Sequence, residues 1–147
     1  MNSIDRAADA RARAVASVIY GDRRPVKGEI VALMHFTSEQ LGLRLIDARS
    51  RAFLKNEIHE LMVTDEDKAA PGVEVKRISP FAFFEVTRGG VGIVSDEVRV
   101  SEGLVGVIAG YDLGHMPNHM NVIVKSGKLD PPAVNVGDVV IIKRPNI

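Results

Sequence analysis

From residue 71 onward the apolar stretches stay short, and a turn-forming residue interrupts each before a helix of useful length can develop. That punctuation constrains the fold more than any other feature. Val73, Glu74, Val75 and Lys76 alternate, residues 81–86 are aromatic and apolar, and Glu97, Val98, Arg99 and Val100 alternate again. Period-two alternation places successive side chains on opposite faces of a strand, whereas a helix needs a period near 3.6. Further strands are expected over 91–95, 104–109, 121–125 and 139–143. Arg88-Gly89-Gly90-Val91 reads as a hairpin turn between two of them, and Val136-Gly137-Asp138 turns the chain into the last.

The N-terminal third is less regular. Ile4, Ala8, Ala12, Val15 and Ile19 recur at helical spacing behind Ser3, a good N-cap, which predicts a helix over 4–20 that ends before Gly21. Residues 27–36 read as the first strand. Over 38–64 the pattern fits a helix only in patches, so a turn at 38–42 and two strands near 43–49 and 56–64 are preferred. The expected fold is mainly β, a small closed or partly open β-barrel with one N-terminal α-helix. It forms a single domain over 1–147 with a barrel-like body over 27–147. The Gly-Asp turn before the apolar ending is similar to the terminal strand of several small β-barrel families, a pattern too common to assign one.

Composition narrows the function classes. The 147 residues contain 46% hydrophobic and 26% charged side chains, enough to bury a core without staples. The absence of cysteine removes disulfides, thiolate metal sites and cysteine nucleophiles. Lys plus Arg and Asp plus Glu both number 19, so no net field favours a polyanion. Nucleic acid is therefore not an expected partner, although Arg6, Arg11, Arg13, Arg23 and Arg24 form a modest local basic excess. No apolar run suits a signal peptide or a bilayer span, so a cytoplasmic protein without a membrane partner is expected.

Two of the four histidines fall in the segment 111–121, between two apolar runs. Tyr111, Asp112, His115 and His119 supply a phenol, a carboxylate and two imidazoles for proton transfer, while the amides of Asn118 and Asn121 suit ligand binding. Pro117 breaks the helical reading of the His115/His119 spacing, but a loop could still turn both rings toward one divalent metal, with Asp112 or Glu57 as third ligand. A divalent metal is the one cofactor these residues suggest. In the strand reading of 56–64, Glu57 and His59 share a face, where a carboxylate can orient an imidazole. Glu85, inside an apolar run, becomes a general acid if it points inward. These residues define a barrel protein that binds or processes a small molecule, with lyase, isomerase or hydrolase chemistry in its loop 111–121. The competing reading is a non-catalytic binding or assembly subunit whose histidine loop is structural. Homo-oligomers are expected in either case, because barrel-like domains often cover exposed edges by association.

Overall fold

A computed structural model describes residues 20–145, and the helix expected over 4–20 lies, save for Tyr20, outside them. Seven strands close on themselves: β1 (Val26–Leu33), β4 (Ile58–Thr64), β6 (Ser79–Arg88), β8 (Glu97–Val100), β9 (Gly103–Asp112), β10 (Asn121–Lys125) and β11 (Val139–Lys143). Their order around the ring is β1-β11-β8-β9-β10-β4-β6. Every pairing is antiparallel except β4 with β10, which run side by side in the same direction. Outside the ring, β2 (Leu43–Arg44) pairs with β5 (Glu74–Val75), and β3 (Ser50–Phe53) with β7 (Gly90–Ile93).

Alternation along the strands builds two cores. Leu61 and Val63 of β4 pack with Phe84 and Val86 of β6, Tyr111 of β9 and Val122 and Val124 of β10 inside the ring. Met62 of the same β4 points the other way and joins Leu45, Val75, Ile78, Ala109 and Ile123 in a smaller cluster. The segment carrying β2 and β5 supplies Leu45 and Val75 to that cluster, so it roofs the outer face of β4, β10 and β9. This explains why β4 resisted a periodic reading: a strand apolar on both faces shows no alternation. The roof sits very close at Gly110, where a Cβ would come within 2.9 Å of Leu45 Cδ1.

Two departures from the sequence reading have local causes. Gly90 does not begin a hairpin partner of β6, because β7 leaves the ring and pairs with β3, with Phe53 opposite Gly90 and Ser50 opposite Ile93. Arg23 and Arg24, candidates for a basic patch, are instead tied to the fold. Arg23 makes a bidentate pair with Asp96 at 2.7 and 2.8 Å and donates to the Val91 carbonyl, while Arg24 Nε donates to the Gly89 carbonyl. Asp96 also accepts the Ile93 N–H at 2.9 Å, so one buried carboxylate joins the incoming chain to the turn after β7. Beyond β4, Asp65 pairs with Arg77, and Glu66 accepts the Lys76 and Arg77 N–H groups. No helix of the described residues is long and apolar enough to cross a membrane.

Candidate functional site

The site is built where β4 and β10 begin. Before β4, the chain turns at Asn56, whose positive φ of 76° is a conformation that asparagine tolerates. Glu57 ties that turn down by accepting the Leu54 N–H on Oε1 at 2.8 Å. The same oxygen lies 3.0 Å from His59 Nε2. On the other side of the ring, His59 Nδ1 accepts the Met120 N–H at 3.1 Å. A nitrogen that accepts a backbone N–H carries no proton, so His59 is held as the Nε2–H tautomer and donates to Glu57. Phe53 meets the imidazole edge-on at 5.8 Å between centroids.

Glu60, one residue further, points to the outer face. Strand register aligns it with Phe83 of β6 and with Asn121 of β10, and Asn121 in turn with Asp112 of β9. The segment 113–120 covers this row. Within it His115 accepts backbone bonds from Asn118 and His119 through its carbonyl, and the Met116–Pro117 bond is cis. His119 packs against Phe83 at 5.1 Å and against His115 at 5.0 Å between ring centroids. Its Nε2 is 3.1 Å from Glu60 Oε1, and both side chains are buried. Asn121 Nδ2 donates to Asp112 Oδ2 at 2.8 Å, while Asn121 Oδ1 is buried without a partner among the described residues.

The two glutamates face opposite electrostatics. Burial pushes the Glu60 carboxyl above the usual range, a push that His119 opposes through charge and hydrogen bonding without cancelling it. Burial also opposes ionisation of Glu57, but there the Leu54 N–H and His59 outweigh it and hold the carboxyl below the usual range. Glu60 is thus held toward its protonated form beside His119, whereas Glu57 is held toward its anion.

Between them lies a cleft of about 470 Å³. Asn56, Glu57, Ile58 and His59 line it from the start of β4, Phe83 from β6, and Met116, Pro117, Asn118 and His119 from the covering segment. Sequence reasoning therefore named residues that meet from two distant segments: Glu57 and His59 from one, Asn118 and His119 from the other. It missed Glu60 and Phe83, although strand alternation, which turns Glu60 away from His59, was the available signal.

Other candidates fall elsewhere. Tyr111 and Asp112 end β9, and Asn121 begins β10, so none of the three lies in the connection itself. The Tyr111 hydroxyl is enclosed in the ring without a partner among the described residues, and burial, reinforced by the Asp96 charge, raises its pKa far beyond the acid–base range of neutral solution. Asp112 is engaged by Asn121. Glu85 alternates with the buried Phe84 and Val86, which turns it outward rather than into the core, half-buried and away from the cleft lining. The expected three-ligand metal centre is not assembled: among the described residues no group of three or more His, Asp or Glu side chains could hold a metal ion. Asp112 and Glu57, the expected third ligands, are bound instead to Asn121 and His59.

Architecture and site together describe a ring-sheet protein with paired histidine–glutamate contacts at one cleft. Residues 20–142 match DUF6917, a family of unknown function, and the chain belongs to that family. Comparison with curated proteins and with solved structures returned no match.

Proposed function

We propose that the cleft receives a small polar organic molecule and that His119, backed by Glu60, moves a proton to or from it. The carrying observation is the buried 3.1 Å contact between His119 and Glu60 at the wall of a cleft of about 470 Å³. That volume is in the range of metabolite sites, and a carboxylate behind an imidazole fixes the ring and tunes its basicity. Asn118 offers an amide to orient the ligand, and Phe83 and Met116 offer apolar surface. Such a barrel site suits lyase, isomerase or hydrolase chemistry that proceeds by proton transfer. The test is a thermal-shift panel of small carboxylates, amines, alcohols and phosphates on the wild type beside His119→Gln. Ligands that bind the native state raise its melting temperature. A shift in the wild type that shrinks in the variant supports the reading, and the absence of any shift across the panel overturns it.

A second reading, an assembly subunit, draws on Val31 and Val139, which are 40% and 50% exposed on the outer face of the β1–β11 pair. Val139 stands opposite Glu29, two residues before Val31 on β1, and exposed apolar side chains on one sheet face suit contact with another copy. Val139→Lys would then convert a dimer to a monomer in light scattering, and an unchanged mass would remove this reading.

A further inference from the structure

The charges around the cleft are one-sided. Among the described residues that line it, Glu57 is the one carboxylate, and no Lys or Arg takes part. His59 cannot accept a second proton without losing the Met120 N–H, because its Nδ1 is the acceptor in that bond. Among the described residues both bonds that hold Glu57 fall on Oε1, from Leu54 N–H and from His59, so Oε2 is left for a ligand. The Glu57 side chain is 36% exposed, open enough to be reached. Arg51 also acts on Glu57, but as the weakest of the named influences and from outside the lining. The rim also carries accessible apolar surface: Ile58 is 44% and Met116 42% exposed, and both line the cleft with Phe83.

This juxtaposition is selective. An anionic ligand would meet a fixed carboxylate with no Lys or Arg in the lining to offset it, whereas an ammonium would gain a charge-assisted hydrogen bond and the negative face of an aromatic ring. A bare metal ion is not served, since no group of three ligating side chains is present among the described residues. We infer that the cleft selects a small organic cation, a primary or secondary amine on an apolar body, with Glu57 Oε2 receiving the ammonium and Phe83, Ile58 and Met116 covering the body. The inference rests on the reading of this cleft as a ligand site and adds the charge class of what enters it.

Three probes of one shape and different charge test it: benzylamine, benzyl alcohol and benzoate, titrated at neutral pH and followed by amide chemical shifts. The full chain is used as wild type, as Glu57→Gln and as Phe83→Leu. Glu57→Gln keeps an oxygen for the Leu54 and His59 bonds and removes only the charge, so the fold is retained, which the unchanged amide spectrum away from 54–60 verifies. The expected result is benzylamine binding at the cleft about five to ten times more tightly than benzyl alcohol, the gain of a charge-assisted over a neutral hydrogen bond. Benzoate is expected to be weakest. In Glu57→Gln the amine's advantage collapses while benzyl alcohol is unaffected, and Phe83→Leu weakens both. Benzoate or benzyl alcohol binding as well as the amine overturns the charge assignment and leaves the cleft a ligand site. An amine preference that survives Glu57→Gln overturns the role given to Glu57. If none of the three perturbs residues of the cleft, the ligand-site reading falls and this inference with it.

Discussion

At the scale of single residues, two glutamates three positions apart differ through what surrounds them. Glu60 has a folded-state pKa raised by burial, so the folded chain holds that proton more tightly than the unfolded chain does. Its contribution to stability is therefore greatest below the unfolded glutamate value of about 4.3, and it declines as pH rises through the raised folded value. Urea midpoints measured from pH 4 to 7 are expected to fall less steeply in Glu60→Gln than in the wild type, and identical slopes would show that Glu60 does not titrate as its burial requires. His59 has both ring nitrogens occupied. His59→Ala would strand the buried Met120 N–H and release Glu57, at a cost of about 1–3 kcal/mol in urea unfolding. Its role is to position Glu57, so the variant should also lose ligand charge preference.

At the scale of elements, strands bracketed by turn residues were legible to their bounds, and the stretch before residue 64 only approximately. The sequence pattern places 121–125 and 139–143 at the bounds of β10 and β11, because each lies between clear turn residues. Strand β4 lies within the strand expected over 56–64, but its two buried faces gave no alternation, since Met62 serves one core and Leu61 and Val63 the other. Strands were expected near 43–49 and at 73–76, where β2 and β5 lie, but two-residue strands carry too little pattern to show that they pair with each other outside the ring. Of the site, the four polar residues Glu57, His59, Asn118 and His119 stood out by chemistry alone, whereas their meeting depends on a parallel pairing that no local pattern encodes. The pairing of β7 with β3 rests partly on Asp96, whose partners are Arg23 and the Ile93 N–H. Asp96→Ala should lower unfolding free energy by about 3 kcal/mol, the low end for orphaning one member of a buried pair, because Arg23 keeps some access to water. A loss below about 1 kcal/mol would show the pair to be dispensable.

At the scale of the whole molecule, the two cores share strands and so should melt together. Leu61→Ala opens a cavity inside the ring and Met62→Ala one beneath the roof, and each is expected to cost about 2–5 kcal/mol. Both variants should keep a single unfolding transition by circular dichroism and by tryptophan-free near-ultraviolet signals; a separate early transition in Met62→Ala would make the roof an independent unit. The pairing of β4 with β10 has a wider consequence. These strands stand some 60 residues apart in the chain, Glu60 beside Asn121, and the cleft uses side chains from the approach to each. A chain divided between them leaves neither fragment with a complete pocket. Ligand capture by two separately expressed pieces would therefore act as a reporter of reassembly, silent for either piece alone and restored only when the ring has closed around its last strand.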